Sequence, residues 1–442
     1  MKKMRLSFSK SRTFTKEIEK MIPGGAHTYS RGRDQFPLNS PSGIARGKGV
    51  HVWDIDGNCL IDWTMGLLSV SLGHAFDPVT RAVQQAIEDG VNFQRPTQLE
   101  METARQWLDI TGHDMIKYAR HGSSVTTAAI KLSRGYTGRG RVAVPRQQPF
   151  FSFDDWFIGS TACDRGIPED LKKYTLHFDY NDLASLAELF ALYPDDIAAV
   201  ILEPVKFAPP NDGFLEGVRE LCTRHGAVLI FDEMICGLKF GFPGAQTRFG
   251  IQPDISTWGK GIGNGFPIAA LTGKAEIMRL GGLEPEGERK LFLLSSTHGG
   301  ESVGLSAHKA TVAYVRDNNV VSTIWETGAK LQASIASIIE KHKLGDYLEI
   351  TGYPCLPLLV MKDFESKPSA AFGTLMMQEM IAQGILFQGV FMVTPSHQAE
   401  QVAETLTAFD AACVVYKAAL EAKTTDGFLE GEPTKPVFRK FN

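Results

Sequence analysis

Apolar and polar positions change their rhythm along this chain, and the changes predict its elements. Residues 50–63, VHVWDIDGNCLIDW, alternate around a central Asp-Gly, the pattern of two short strands joined by a tight turn. The rhythm is different in the middle. The run IAAVILEP (197–204) is apolar, GFLEGVRELCTRHG (213–226) repeats with a helical period, and AVLIFDE (227–233) is apolar again. This is a strand, helix, strand unit whose strands are apolar enough to be covered on both faces, as in a parallel sheet. Such sheets bind ligands at the carboxyl ends of their strands, and Glu203 and Asp232 stand at those ends. Beyond residue 320, helical repeats in TIWETGAKLQASIASIIEKHK and QAEQVAETLTAFDAACVVYKAALEA bracket the strand-like LPLLVMKD, which predicts an α+β terminal lobe. No linker separates two halves, so the domains are expected to interleave: residues 1–75 in an N-terminal segment and part of a small domain, 76–320 in a large α/β domain, and 321–442 in the rest of the small one.

Composition narrows the class. With 442 residues, 43% hydrophobic and 22% charged, the chain is long enough for two or three ordinary globular domains. A net charge of −4 and no basic block argue against a nucleic-acid partner. The basic N-terminus MKKMRLSFSKSRTFTKEIEK lacks the apolar run of a signal peptide, and eighteen apolar residues never occur together, so a soluble, cytoplasmic protein with no membrane partner is expected. Cys59, Cys163, Cys222, Cys236, Cys355 and Cys413 are scattered without paired spacing, which fits reduced thiols, and no spacing of His, Asp or Glu suggests a metal site.

Three features carry chemistry. In YARHGSSVTTAAIKLSRGYTGR (118–139), Gly-Ser-Ser opens a helix predicted from Val125 to about Tyr136, gathering hydroxyls and unpaired N–H groups at its positive end. That end is either an ordinary cap or a phosphate cradle. Asp232, at the end of a buried strand, needs something positive: an Arg or Lys partner, or a protonated heterocyclic nitrogen as in pyridoxal phosphate enzymes. In DISTWGKGIGNGFP (254–267), Lys260 stands between two glycines. Those glycines would let the backbone approach a cofactor closely, and a lysine that bonds an aldehyde must be available as neutral amine.

The stretch FDEMICGLKF...GIQPDISTWGKGIGNGFPIAALTGK, from Phe231, resembles the signature of class III aminotransferases. The likeness runs from Pro23 to about residue 420, and glutamate-1-semialdehyde aminotransferase-like enzymes are the most similar, including versions found with surface-sugar biosynthesis. The resemblance implies fold-type I architecture: a large α/β domain with a mostly parallel, mixed sheet, and a small α+β domain built from both chain ends. It implies pyridoxal 5'-phosphate as cofactor, Lys260 as the Schiff-base lysine and proton shuttle, and Asp232 as partner of the pyridine nitrogen. Gly122 and Ser123 match the phosphate-binding turn. Thr297, in SSTHGGE, matches a threonine that reaches the cofactor phosphate from a neighbouring subunit, which implies a homodimer. Glu203 matches an acid that helps order the site. Arg31, in PGGAHTYSR, aligns with the arginine that grips the substrate carboxylate, and a surface role stays open beside it.

This chain also departs from the pattern. Phe150-Phe151-Ser152 replaces Tyr-His-Gly, with Phe150 still able to stack on the cofactor ring. Ser124 stands where relatives have an acid, Leu238-Lys239 replaces Phe-Arg, and Leu67 stands at a tryptophan position. The pocket is therefore altered around an intact Lys260 and Asp232. The main expectation is ping-pong transamination between an amino-acid donor and a small keto acid, amino-aldehyde or keto-sugar. The alternatives are glutamate-1-semialdehyde 2,1-aminomutase, favoured by Arg31, and a non-catalytic binding protein of the same fold. His298 and Glu301 face either substrate or their own loop, and His74 is expected to cap or pack.

Overall fold

The computed structural model describes residues 6–206, 208–284, 287 and 289–441; the first five residues of the basic N-terminal stretch lie outside it. The chain divides into two compact units, one of Met1–Phe76 with Ser322–Val437 and one of Asp77–Val321 with Phe438–Asn442.

In the first unit, strands β1 (Ile44–Lys48), β2 (His51–Asp54) and β3 (Cys59–Asp62) form an antiparallel meander. The predicted hairpin is β2 and β3, with His51 facing Ile61, and Gly57 takes a left-handed φ of 94° in its turn. His74 Nε2 donates to Asp62 Oδ2 at 2.9 Å, and the ring packs beneath Gly47, where an added Cβ would lie 2.8 Å from it. It is a packing residue.

The second unit holds a seven-stranded sheet. Its strands are β4 (Met115–Ala119), β5 (Arg141–Pro145), β6 (Thr175–Phe178), β7 (Ile197–Leu202), β8 (Val228–Asp232), β9 (Ile255–Trp258) and β10 (Ala269–Gly273), in the order β4-β10-β9-β8-β7-β5-β6. Strands β6, β5, β7, β8 and β9 run parallel, and β10 lies antiparallel between β9 and β4. Alternation along each strand sorts the core into two layers. Val142, Val144, Ala199, Ile201, Val228 and Ile230 pack with Val125, Ala129 and Leu132 of the helix Gly122–Thr137. Ala143, Val200, Leu202, Leu229 and Phe231 pack with Phe214, Val218 and Cys222 of the helix Phe214–His225. Every residue of β7 and β8 is buried, as strands covered on both faces require. The helix predicted from Val125 begins three residues earlier, at Gly122, because the Gly-Ser-Ser segment is its first turn rather than a loop before it.

In the chain that returns to the first unit, β11 (Leu348–Tyr353) and β12 (Leu356–Met361) form a hairpin, and β13 (Ile385–Leu386) adds to β3 in parallel. The repeats beyond residue 320 are the helices Val320–His342 and Ala399–Ala422. No helix among the described residues is long and apolar enough to cross a membrane.

Candidate active site

Three neighbouring strands end at one place. Glu203 follows β7, Asp232 ends β8, and Lys260 comes two residues after β9. Register brings them together, because Leu202 pairs with Phe231 and Asp232 pairs with Thr257.

Met234 locks this corner. A Cβ on Gly122 would lie 2.9 Å from its sulfur, and a Cβ on Gly259 would lie 2.5 Å from it. The start of the helix Gly122–Thr137, the turn after β8 and the residue before Lys260 thus meet on one thioether. The glycine before the lysine was expected to admit a cofactor; in the structure its missing side chain admits Met234. Lys260 itself is held at a φ of 45°, in the sparsely populated left-handed region, where strain is tolerated at functional positions.

The two acids after Phe231 have different tasks. Glu233 is fully buried and accepts from the Ala245 and Gln246 N–H groups at 2.9 and 2.7 Å, capping the helix Ala245–Phe249. Burial pushes its carboxyl up to about 7. Replacing it with alanine would strand two buried donors, so Glu233→Ala is expected to lower unfolding stability by about 2 kcal/mol, measurable by denaturant titration. Asp232 is 3% exposed, and its Oδ1 accepts from the Met234 N–H at 2.9 Å. Its other oxygen has no hydrogen-bond partner among the described residues. Burial pushes this carboxyl up, the charge of Glu203 adds to the push, and Lys260 opposes it.

Lys260 makes no hydrogen bond or ion pair among the described residues. Burial draws its amine below the ordinary lysine range, while Asp232 and Glu203 pull the other way. The result is an amine that sheds its proton more readily than a surface lysine would.

Glu203 is held on three sides. Its N–H donates to Gln148 Oε1 at 2.8 Å, its carbonyl accepts from Gln148 Nε2 at 2.7 Å, and its Oε1 accepts from Lys206 Nζ at 2.9 Å. Its Oε2 is buried without a partner among the described residues.

The helix Gly122–Thr137 begins without a side-chain cap, so its first N–H groups are open for an anion. Ser123 is buried, and its Oγ accepts from the Phe153 N–H at 3.1 Å, leaving its own hydrogen for another acceptor. The Phe-Phe-Ser replacement is tied to the same helix. Phe151 is buried, its carbonyl accepts from Thr126 Oγ1 at 2.8 Å, and Ser152 Oγ lies 3.1 Å from Thr127 Oγ1. Phe150 is 42% exposed, with its ring edge-on to Phe157. Ser124 Oγ lies 3.3 Å from His121 Nδ1, a local contact in place of an acid.

The corner therefore offers an acid with an open oxygen, an unbonded amine of lowered basicity and an uncapped helix start. A protonated ring nitrogen, a carbonyl carbon and a phosphate are what these three would take, and pyridoxal phosphate carries all three. The residues present fit that group.

The remaining expected residues lie in other segments of the chain. Thr297 is exposed in a loop whose carbonyl accepts from Asn92 Nδ2 at 3.1 Å, and its side chain has no partner among the described residues. Glu301 caps the helix Ser302–Asp317 by accepting from Val303 and Gly304 N–H groups, both at 2.9 Å, which answers the choice between substrate and loop in favour of the loop. Arg31 is exposed on a short helical turn, Tyr29–Arg31, of the first unit. Leu67, also in that unit, lies in a left-handed run where Met65, Gly66, Leu67 and Leu68 have φ of 44°, 62°, 60° and 66°. Lys239 is buried and donates to the Ile235 carbonyl at 3.3 Å. Sequence reasoning passed over Met234, Gln148 and Lys206. Only Lys206 left a trace, its spacing of three from Glu203.

Known proteins resemble this chain over most of its length. The family model described as class III aminotransferase matches residues 29–413. The glutamate-1-semialdehyde 2,1-aminomutase of Caldicellulosiruptor saccharolyticus is 31% identical over 406 residues, covering 89% of this chain and 93% of the relative. Among solved structures, the PLP internal aldimine form of the Sphingopyxis sp. MTA144 FumI protein superposes with a TM-score of 0.85 at 24% identity, covering 96% of this chain and 98% of that one. A glutamate-1-semialdehyde aminomutase from Pseudomonas aeruginosa PAO1 in complex with PMP gives a TM-score of 0.80 at 22% identity, covering 92% and 94%. The fold is that of the fold-type I PLP transaminases.

Proposed function

Because the chain belongs to the class III aminotransferase family, whose cofactor is pyridoxal phosphate, we propose that it moves an amino group between adjacent carbons of a small amino-aldehyde carrying a carboxylate, as a 2,1-aminomutase. The observation that carries nitrogen transfer is the pairing of a buried Asp232 with an unbonded Lys260 at neighbouring strand ends. The aminomutase form of it is supported by the names of the curated relatives, which favour it over the intermolecular transamination expected from sequence.

When bound, the cofactor supplies an aldehyde carbon and a ring that spreads negative charge away from a substrate carbon. The chain's own residues supply the rest. Asp232, through its open oxygen, holds the ring nitrogen protonated, and that positive charge relieves the acid's burial. Lys260 Nζ takes the proton from one substrate carbon and returns it at another position, which requires its neutral form. The uncapped N–H groups at Gly122 and the Ser123 hydroxyl hold the phosphate. Phe150 presents a ring face, Glu203 an acceptor, and Arg31 a guanidinium for the substrate carboxylate. Thr297 would serve the site of a second copy in a homodimer.

A second reading, transamination with a separate amino donor and carbonyl acceptor, is favoured by Leu67 and by Phe150-Phe151-Ser152, which change the pocket away from the semialdehyde enzymes. One assay separates the readings. Given glutamate-1-semialdehyde alone, the cofactor-loaded protein is expected to form 5-aminolevulinate. Bleaching of the cofactor by L-glutamate without that product would instead support transamination. Colour that no amine bleaches would favour the binding protein.

A further inference from the structure

Lys206 lies just beyond the end of β7, 19% exposed, with Nζ 2.9 Å from Oε1 of a Glu203 side chain that is 3% exposed. An ion pair this sheltered is not explained by stability, because desolvating both charges offsets much of their attraction. Nor is it needed to hold the backbone, which Gln148 already clamps at Glu203 by two hydrogen bonds. What the pair does is fix one carboxylate oxygen and leave the other, Oε2, buried with no partner among the described residues. The ammonium also acts on the two groups that carry the chemistry, lowering the proton affinity of both Asp232 and Lys260.

We propose that Lys206 is a positioning residue of this site: its bond to Glu203 Oε1 fixes that carboxylate beside Asp232 and Lys260, and its charge balances the two acids around the lysine amine. The inference rests on the cofactor reading given above. The strongest charge influences on Lys260 come from Asp232, Glu203, Lys206 and Cys236, those on Asp232 come from Glu203, Lys260 and Lys206, and Asp232 in turn acts on Glu233 and Cys236. Glu233, next in the chain, is committed to its helix cap. Among these groups Lys206 is the cation besides Lys260 itself. Without it, Glu203 and Asp232 would hold the proton on the Lys260 amine more tightly, and the neutral form needed for reaction would appear only at higher pH.

The test reads cofactor absorbance rather than turnover. The protein loaded with pyridoxal phosphate, in which the titrating proton would sit on the Lys260 nitrogen bonded to the cofactor aldehyde and feel the same charges, is titrated from neutral to alkaline pH, and the midpoint of the absorbance change is compared among variants. Lys206→Met is expected to raise the midpoint by about one pH unit, and Lys206→Arg to keep it near that of the wild type. Glu203→Gln is expected to lower it, and the double variant to fall between the single ones. A folded Lys206→Met protein with the wild-type midpoint would overturn the inference, as would shifts of the same sign from Lys206→Met and Glu203→Gln. If Lys206→Met does not fold, the double variant is compared with Glu203→Gln: a higher midpoint supports the inference and an equal one overturns it. Absence of any cofactor absorbance in the wild type would overturn the cofactor reading itself.

Discussion

Lys260→Ala is expected to lower turnover by at least about 10³-fold and to abolish the cofactor absorbance that depends on its amine, while the protein stays folded. The loss is large because no neighbour can substitute. Lys206, the other cation whose charge reaches the cluster, is bonded to Glu203, and Asp232 and Glu203 are acids. The fold should survive, since the Lys260 side chain forms no hydrogen bond or ion pair among the described residues and its removal strands nothing. Circular dichroism and a denaturation curve check the second half of the prediction; steady-state turnover and the absorbance spectrum check the first. Wild-type-like turnover in this variant would end the assignment of the site.

Asp232→Asn is expected to move activity and stability in opposite directions. Turnover should fall by about 10²- to 10³-fold, because an amide cannot hold a ring nitrogen protonated. The cofactor-free variant should nevertheless be more stable than the cofactor-free wild type at neutral pH. The sign follows from linkage. Burial and Glu203 raise the carboxyl's pKa in the folded state, so between the ordinary Asp value of 3.8 and the raised one the folded protein binds more protons than the unfolded chain. Stability contributed by this group is therefore lost as pH climbs through that window, and asparagine has no such loss. Adding the cofactor should reverse the order, since a ligand stabilises in proportion to its affinity and the wild type holds it more tightly. Thermal unfolding of both proteins, with and without pyridoxal phosphate, tests all four expectations. A cofactor-free variant less stable than its parent would mean that Asp232 is a structural acid like Glu233.

Much of this was readable before any coordinates, for definable reasons. The hairpin at β2 and β3 and the parallel pair β7 and β8 announce themselves by local periodicity, which depends only on which faces are buried. Asp232 stands out in the sequence because a charged residue directly after an apolar run has few physical excuses, and Lys260 because it lies between two glycines. What escaped is contact between segments remote in sequence. Gln148 meets Glu203 across 55 positions, and Met234 meets Gly122 across 112 (234 − 122 = 112). Neither leaves a periodic signature. The glycine before Lys260 reads in the sequence as room for a cofactor, yet the group that approaches it is a methionine sulfur, because one missing Cβ cannot say what fills its place. The task of Glu233 was hidden, since nothing beside Asp232 in the sequence announces the helix start that Glu233 caps.

That adjacency bears on how this corner can change over generations. Deletion of a single residue within β8 would carry Glu233 to the place of Asp232, handing the open position to a side chain one methylene longer and leaving the helix at Ala245 without its anchor, while insertion would carry Phe231 there. Diversification here is thus confined to exchanges of side chain at constant length.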